Sequence, residues 1–323
     1  MKRRLYALGA AAVLSLAAGP VAAQVVTIAS NPQGTQFYTC ATAIAKIMDE
    51  QVKVQVRVQP MAGSSTYLPL LNRGELDFGL TNVDDARTSY LGTGNYDGKP
   101  NPNLRLISTL FPLFVSVLVP ADSPVKKVED VKGLRMSSGF LSQTIGRLNH
   151  EAVLSTAGLT PADVKAVPVV NLFAGADALS AGRVDAIVIN PGTGQVQKAH
   201  AELSSRGGVR FVGINHTPEA VARMQAVMSS RPFLLQPAPH RVGVIEPTWF
   251  LAFDAFMATN DKAPDEMVYK IAKALHGGKD ALTASAPFMS DFDPSRMAVK
   301  MDMPYHPGAI KYFTEIGQWP PKS

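Results

Sequence analysis

Apolar positions along the chain change period in a regular order. Residues 25–29 form a short apolar run, and 53–58 alternates with Val54, Val56 and Val58 on one face, so both predict strands. Between them, past the turn Asn31-Pro32-Gln33-Gly34, the period turns helical, with Phe37, Ala41, Ile44, Ile47 and Met48 on one stripe. A polar turn at 63–66 opens a short helix that runs to Asn72, and 78–80 is a third strand. The order β-α-β-α-β predicts a parallel sheet with right-handed crossovers.

One stretch of that unit returns later. LNRGELDFGL at 71–80 is echoed by LSAGRVDAIV at 179–188, and Gly74 and Gly182 lie 108 positions apart. In each, a helix breaks at glycine, which tolerates the left-handed conformation of a helix C-terminus. A short acidic turn then enters an apolar strand. The echo predicts two similar α/β lobes with a cleft between them.

The remaining pattern fits that plan. Strands are expected at 104–110 and 113–119, separated by Phe111-Pro112, then a helical turn at 128–133. A strand at 134–136, a polar turn at 137–144 and a helix at 145–157 open the second lobe, with further strands at 184–189 and 209–214. After the Pro-rich stretch holding Pro232, Pro237 and Pro239, residues 248–257 read as a strand buried on both faces, and 263–275 and 307–316 as helices. The C-terminal part has no partner for a third domain and is expected to return to the first lobe. Lobe I is then 24–119 plus 242–323, and lobe II is 120–241. The chain crosses near Pro120 and again within 213–245, and two crossings make a hinge.

Composition narrows the class. The 323 residues are 46% hydrophobic and 18% charged, a globular profile. Residues 1–23 read as a secretory signal peptide: Lys2, Arg3 and Arg4, an Ala-rich apolar run, then Val21-Ala22-Ala23. Without that segment the formal charge falls from +5 to about +2, and no Lys/Arg cluster is interleaved with aromatics, so nucleic acid is not an expected partner. The single cysteine, Cys40, excludes an internal disulfide and reads as a small buried apolar residue on a helix face.

The stretch VVTIASNPQGTQFYTCATAIAKIM at 25–48, the Gly-Ser-Ser turn at 63–65, GELDFGL at 74–80 and HPGAIKYFTEIG at 306–317 resemble the TAXI family, the solute receptors of TRAP transporters. The resemblance covers nearly the whole chain after the signal. It implies an α/β, two-lobe periplasmic-binding-protein fold of type II with a central ligand cleft and two hinge crossings. It also implies a periplasmic location, a small carboxylate ligand (an organic acid or amino acid) and delivery to TRAP permease membrane subunits. Two turns depart from the family pattern. Gln33-Gly34 stands where Gly-Gly is common, and Ser138-Gly139-Phe140-Leu141-Ser142 where Ser-Gly-Ser-Gly is common, so Phe140 and Leu141 are expected to bring bulk to the site.

Strand ends and helix starts line the cleft of an open α/β sheet, and helix N-termini favour anions. Three polar turns fit: 31–36, 63–66 and 137–144. From lobe I, Gly34, Thr35, Gln36 and Tyr38, then Gly63, Ser64 and Ser65, are expected to offer hydroxyl, amide and backbone donors. Asn82 and Asp84 follow the third strand, and Asp84 would pair with an ammonium. From lobe II come Ser138, Gly139, Ser142, Gln143 and Thr144, with Asn190 at a strand end and Arg147 a turn into the helix. Serine and threonine at helix starts serve equally as caps.

Nothing in the sequence asks for catalysis, a metal or a cofactor. The histidines at 150, 200, 216, 240, 276 and 306 lack the H-E-x-x-H spacing, and no Gly-x-Ser-x-Gly elbow occurs. Ser123-Pro124-Val125-Lys126 matches Ser-x-x-Lys but sits in a proline turn. An enzyme built on the same fold is the least favoured class. A sensing subunit that docks on a membrane kinase would use the same trap as an uptake receptor.

Overall fold

The computed structural model of the chain describes residues 25–140 and 145–321. The expected signal peptide, and Ser142, Gln143 and Thr144, lie outside the described residues. The first elements are β1 (Val25–Ser30), α1 (Gln36–Ile47), β2 (Gln55–Pro60), α2 (Ser64–Arg73), β3 (Phe78–Asn82), α3 (Val83–Leu91) and β4 (Leu104–Pro120). Next come β5 (Arg135–Gly139), α4 (Ile145–Thr156), β6 (Lys165–Val169), α5 (Leu172–Ser180), β7 (Ile187–Ile189) and α6 (Gly194–Glu202). The chain closes with β8 (Val209–Val212), α7 (Pro218–Val227), β9 (Arg231–Leu235), β10 (Thr248–Asn260), α8 (Asp265–Gly277), α9 (Lys279–Ser285) and α10 (Pro307–Glu315).

The echo in the sequence is a repeat in the fold. β1 lies between β2 and β3, parallel to both, with Ile28 opposite Val58 and Phe78. In the second repeat Met136 of β5 lies opposite Ala166 of β6 and bridges in parallel to Ala186, at the entry to β7. Each of these residues is 108 positions past its counterpart. The helix ends agree as well. The N–H groups of Gly74 and Glu75 reach the carbonyls of Leu71 and Leu70, and those of Gly182 and Arg183 reach Leu179 and Ala178, at 2.9–3.0 Å. This closing turn needs a positive φ, which is 78° at Gly74 and 66° at Gly182.

The echoed aspartates do the same work in both repeats. Thr27 donates its N–H and its hydroxyl to Asp77 Oδ2 at 2.8 and 2.9 Å. Arg135 donates its N–H to Asp185 Oδ2 at 2.9 Å and adds a two-pronged guanidinium contact at 3.1 and 2.6 Å. A carboxylate that accepts a backbone donor from the neighbouring strand fixes register before the ladder begins.

The two repeats are joined by long strands. β10 runs antiparallel between β3 and β4. β4 is a single strand of 17 residues where the pattern predicted two. Pro112 stays inside it because Leu110 and Phe111 together face the lone Ala255, a bulge that accommodates the missing N–H. Beyond β10, residues 116–118 pair with β7, and 117–120 pair with β8. Phe114 and Leu118 point into the smaller core of the second repeat, while Val115, Val117 and Val119 point into the larger one, as strand alternation requires.

In the C-terminal part α8 and α9 pack on α1 of the first repeat, and α10 packs on α8. His306 caps α10. Its Nδ1 accepts the Gly308 N–H at 3.2 Å and its Nε2 faces the Ala263 carbonyl at 3.1 Å, so the ring is neutral and its neighbour Asp265 is no ion-pair partner. Burial holds its pKa below the ordinary value. Gly308 sits so close to α8 that a Cβ would lie 2.2 Å from the Asp265 carbonyl oxygen. Cys40 is fully buried, as read from the sequence, and burial pushes its thiol pKa far up.

Asp77→Ala leaves the Thr27 N–H without its acceptor. We expect a loss of about 1–3 kcal/mol in urea unfolding with no change in the m-value; an unchanged midpoint would contradict the anchor role.

Candidate functional site

Five helix N-termini meet between the repeats. Thr35, the N-cap of α1, and Asn82, the N-cap of α3, come from the first repeat. Ile145 at the start of α4, Leu172 and Phe173 at the start of α5, and Thr193, the N-cap of α6, come from the second repeat and its following helix. Together with Asn31, Gln36, Asn149 and Asn190 they enclose a cavity of about 60 Å³. Leu113 of β4 and Phe253 of β10 form its apolar floor. Among the described residues no charged side chain lines it.

The caps explain why the helices begin there. Thr35 Oγ1 accepts the Tyr38 N–H at 3.0 Å and donates to the Pro32 carbonyl at 2.8 Å. Asn82 Oδ1 accepts the N–H groups of Asp84 and Asp85 at 3.2 and 3.0 Å. Thr193 Oγ1 accepts the Val196 N–H at 3.3 Å. Each cap satisfies one or two of the first-turn N–H groups, and the helix starts stand at the edge of the cavity.

The repeats touch across the site. Asn190 donates its amide to Gln36 Oε1 at 3.2 Å, and the Gly194 N–H reaches the Gly34 carbonyl at 3.3 Å. Asn82 and Asn190 are the 108-position pair that ends β3 and follows β7. Asn149, only 2% exposed, has an Oδ1 with no hydrogen-bond partner among the described residues.

Of the residues expected from sequence, Thr35, Gln36, Asn82 and Asn190 line the cavity, and Gly34 closes its edge against α6. The others lie elsewhere. Tyr38 turns its hydroxyl to the Gln33 amide at 3.4 Å, on the surface. Gly63 caps α2, and Ser64 donates its hydroxyl to the buried Asp85, which also accepts from the Asn82 amide at 2.9 Å. That trio welds α2 to α3 and directs Ser64 away from the cavity. Ser65 borders a separate surface hollow beside Tyr96. Ser138 and Gly139 end β5 outside the cavity lining, and Arg147 is exposed on α4. Phe140, expected to crowd the site, is 1% exposed and packs against Gly146.

Asp84 also departs from expectation. It is 6% exposed and accepts the Ser229 N–H at 3.3 Å across to the end of α7, while its Oδ2 has no partner. It therefore faces away from the cavity and is not placed to hold an ammonium there. Sequence reasoning missed Asn149, Phe173 and Thr193. Asn149 is one turn after Ile145, so the helical period that marks Ile145 as inward also marks Asn149, and not Arg147. Thr193 carries an N-cap signature before α6.

This arrangement of an α/β repeat pair around a ligand-sized cleft defines a type II periplasmic solute-binding fold. A structure described as a periplasmic transporter aligns with a TM-score of 0.59 at 13% identity, over 92% of this chain and 94% of that one. The periplasmic binding protein BugD aligns at 0.58 and 13% identity, over 92% and 95%. PhnD1 from Prochlorococcus marinus, in complex with methylphosphonate, aligns at 0.55 and 15% identity, over 91% and 96%. The chain belongs to the NMT1-like family, whose pattern matches residues 28–317.

Burial, the largest influence, pushes the Asp84 carboxyl up from 3.8 to about 6. A raised carboxyl contributes stability that is fully present below pH 3.8 and is lost as pH rises through about 6. Asn at this position keeps an acceptor for Ser229 and removes the buried charge. Asp84→Asn should therefore gain on the order of 2 kcal/mol at pH 8 and almost nothing at pH 4. Denaturation at both pH values measures the difference, and equal gains at the two would refute it.

Proposed function

We propose that this chain is a periplasmic receptor of the TAXI type that captures a small carboxylate between two lobes and delivers it to a TRAP permease. The observation that carries the reading is the convergence of five helix N-termini on a cavity without an acidic side chain. Such a space attracts one anion and repels cations. The likeness to TAXI receptors at 25–48, 63–65, 74–80 and 306–317 supports the permease as partner, and the signal pattern at 1–23 supports the periplasm.

The lobes proposed are 24–119 with 242–323, and 120–241. They close about β4 and β10, the strands that continue from one repeat into the other. Gln36 and Asn190 then act as a clasp that forms when the cleft is shut around the ligand. Thr35, Gln36 and Asn82 offer the first lobe's polar groups to the ligand, and Asn190, Ser142, Gln143 and Thr144 those of the second.

Calorimetry against a panel of short organic acids and amino acids tests the reading. One or more acids should bind with micromolar affinity, about −8 kcal/mol. Gln36→Ala with Asn190→Ala should weaken that acid roughly tenfold, about 1.4 kcal/mol. An intact affinity in the double variant would show that the clasp takes no part in capture. Small-angle scattering should report a smaller radius of gyration once the acid is added, and an unchanged radius with a confirmed binder would argue against closure.

A further inference from the structure

We infer that Asp84 is a proton-operated latch between the repeats: a proton taken up at its Oδ2 favours the shut cleft, so the receptor captures its solute more tightly in mildly acid surroundings than in alkaline ones. The inference concerns the regulation of the site proposed above and rests on that reading.

Asp84 belongs to the first repeat, in the opening turn of α3. Its Oδ1 accepts the Ser229 N–H at 3.3 Å. Ser229 follows α7, and α7 is fastened to the second repeat. It packs on α4, and Arg223 donates to the carbonyls of Ser155 and Thr156, in the last turn of α4, at 2.7 and 2.9 Å. The Asp84–Ser229 bond therefore spans the repeats, as the Gln36–Asn190 bond does at another point. Two residues past Ser229, Arg231 lies opposite Ala252 of β10, so the latch stands beside a hinge strand. Opening about β4 and β10 draws α3 and α7 apart and lets water reach the carboxyl.

Asp84 is 6% exposed, and its Oδ2 has no partner among the described residues. One backbone donor does not replace the water that an ionised carboxylate loses on burial. Oδ2 therefore takes the proton, while Oδ1 keeps the Ser229 N–H. The neighbouring charges do not stand in for it. On α3 itself, Asp85 is held within the first repeat by Ser64 and Asn82 and repels a charge on Asp84, and the exposed Arg87 is turned to Asp302 at 2.8 Å. On β10, Asp254 is clamped by Arg231 at 2.9 Å, with Arg296 at 3.9 Å. Lys300, in the hollow that Ser229 lines, is exposed. Arg73 of α2 is exposed and held by Glu75, and burial keeps the Tyr96 phenol of the 94–96 turn neutral.

The sign follows from the two forms. In the shut form burial, the largest influence, puts the Asp84 pKa at about 6, against 3.8 for a carboxyl in water. Once open, the carboxyl returns toward the lower value. The shut form thus binds the proton more tightly, and a fall in pH through about 6 favours shutting. From pH 8 to pH 5 the ratio of shut to open molecules should rise roughly tenfold.

Pulsed dipolar spectroscopy measures that ratio on the full chain with no solute added. Spin labels on Glu50→Cys and Gln197→Cys, both exposed, report the distance between the lobes, and the fully buried Cys40 stays unlabelled. The protein with the native Asp84 should show the tenfold rise. Asp84→Asn should give the same ratio at both pH values, no lower than that of the native residue at pH 5. If Asp84→Asn does not fold, Asp84→Ala takes its place. An equal ratio at pH 5 and pH 8 with Asp84 present, a single distance at both included, overturns the latch. So does a pH effect that survives in Asp84→Asn, which would assign it to another group, such as His240 beside Gly192. With no solute present, a failure here leaves the receptor reading to the calorimetry, and a failure of every acid there leaves this ratio to be judged by itself.

Discussion

The first N–H groups of an α-helix have no acceptor within the helix, and the fold of this protein points five such ends into one space. Everything about the site follows from how those ends are treated. Thr35, Asn82 and Thr193 satisfy one or two donors each and hold the chain in the extended conformation that a cap requires. They bring no charge. Among the described residues no ionisable side chain lines the cavity, so its fixed polarity comes from helix ends and neutral side chains. Carboxylates stand close by and are turned away. Asp85 is surrounded by Ser64 and Asn82, and Asp84 is drawn out toward Ser229.

The architecture that brings the helix ends together was legible in the sequence because its determinants are local. Gly74 and Gly182 are placed by the left-handed turn they must adopt, and Asp77 and Asp185 by the backbone donor each accepts. Such features leave a spaced residue pattern. Thr35, Gln36, Asn82 and Asn190 were legible for the same reason, since each stands at a strand end or helix start. Ser64 and Asp84 carry the same local signature, yet their partners, Asp85 and the Ser229 N–H, are set by tertiary packing. Asn149 shows the converse. Its burial at the edge of the cavity is a property of the assembled fold and leaves no mark in the residue order. Pro112 misled in a third way: proline reads as a strand end, and only the bulge opposite Ala255 lets β4 continue through it.

That continuity has a mechanical meaning. β4 is paired by β10 along its first part and by β7 and β8 along its last, so one strand carries both repeats. Bending is easiest where ladder bonds are already irregular. The two register shifts between β4 and β10, at Asp254/Phe256 and at Met257/Ala258, mark such places. Arg231 holds Asp254 with a two-pronged contact at 2.9 and 3.2 Å, on the strand face opposite to the one that Phe253 presents to the cavity.

The repeats are alike in backbone and unlike in what they offer. In the first, the side chains at the site are tied down: Asn82 is committed through both ends of its amide, and Thr35 both donates and accepts. In the second, Asn190 reaches its partner only across the cleft. The duplicated framework thus ties the polar atoms of its first half within that half, while the second half meets the first through Asn190 and Gln36.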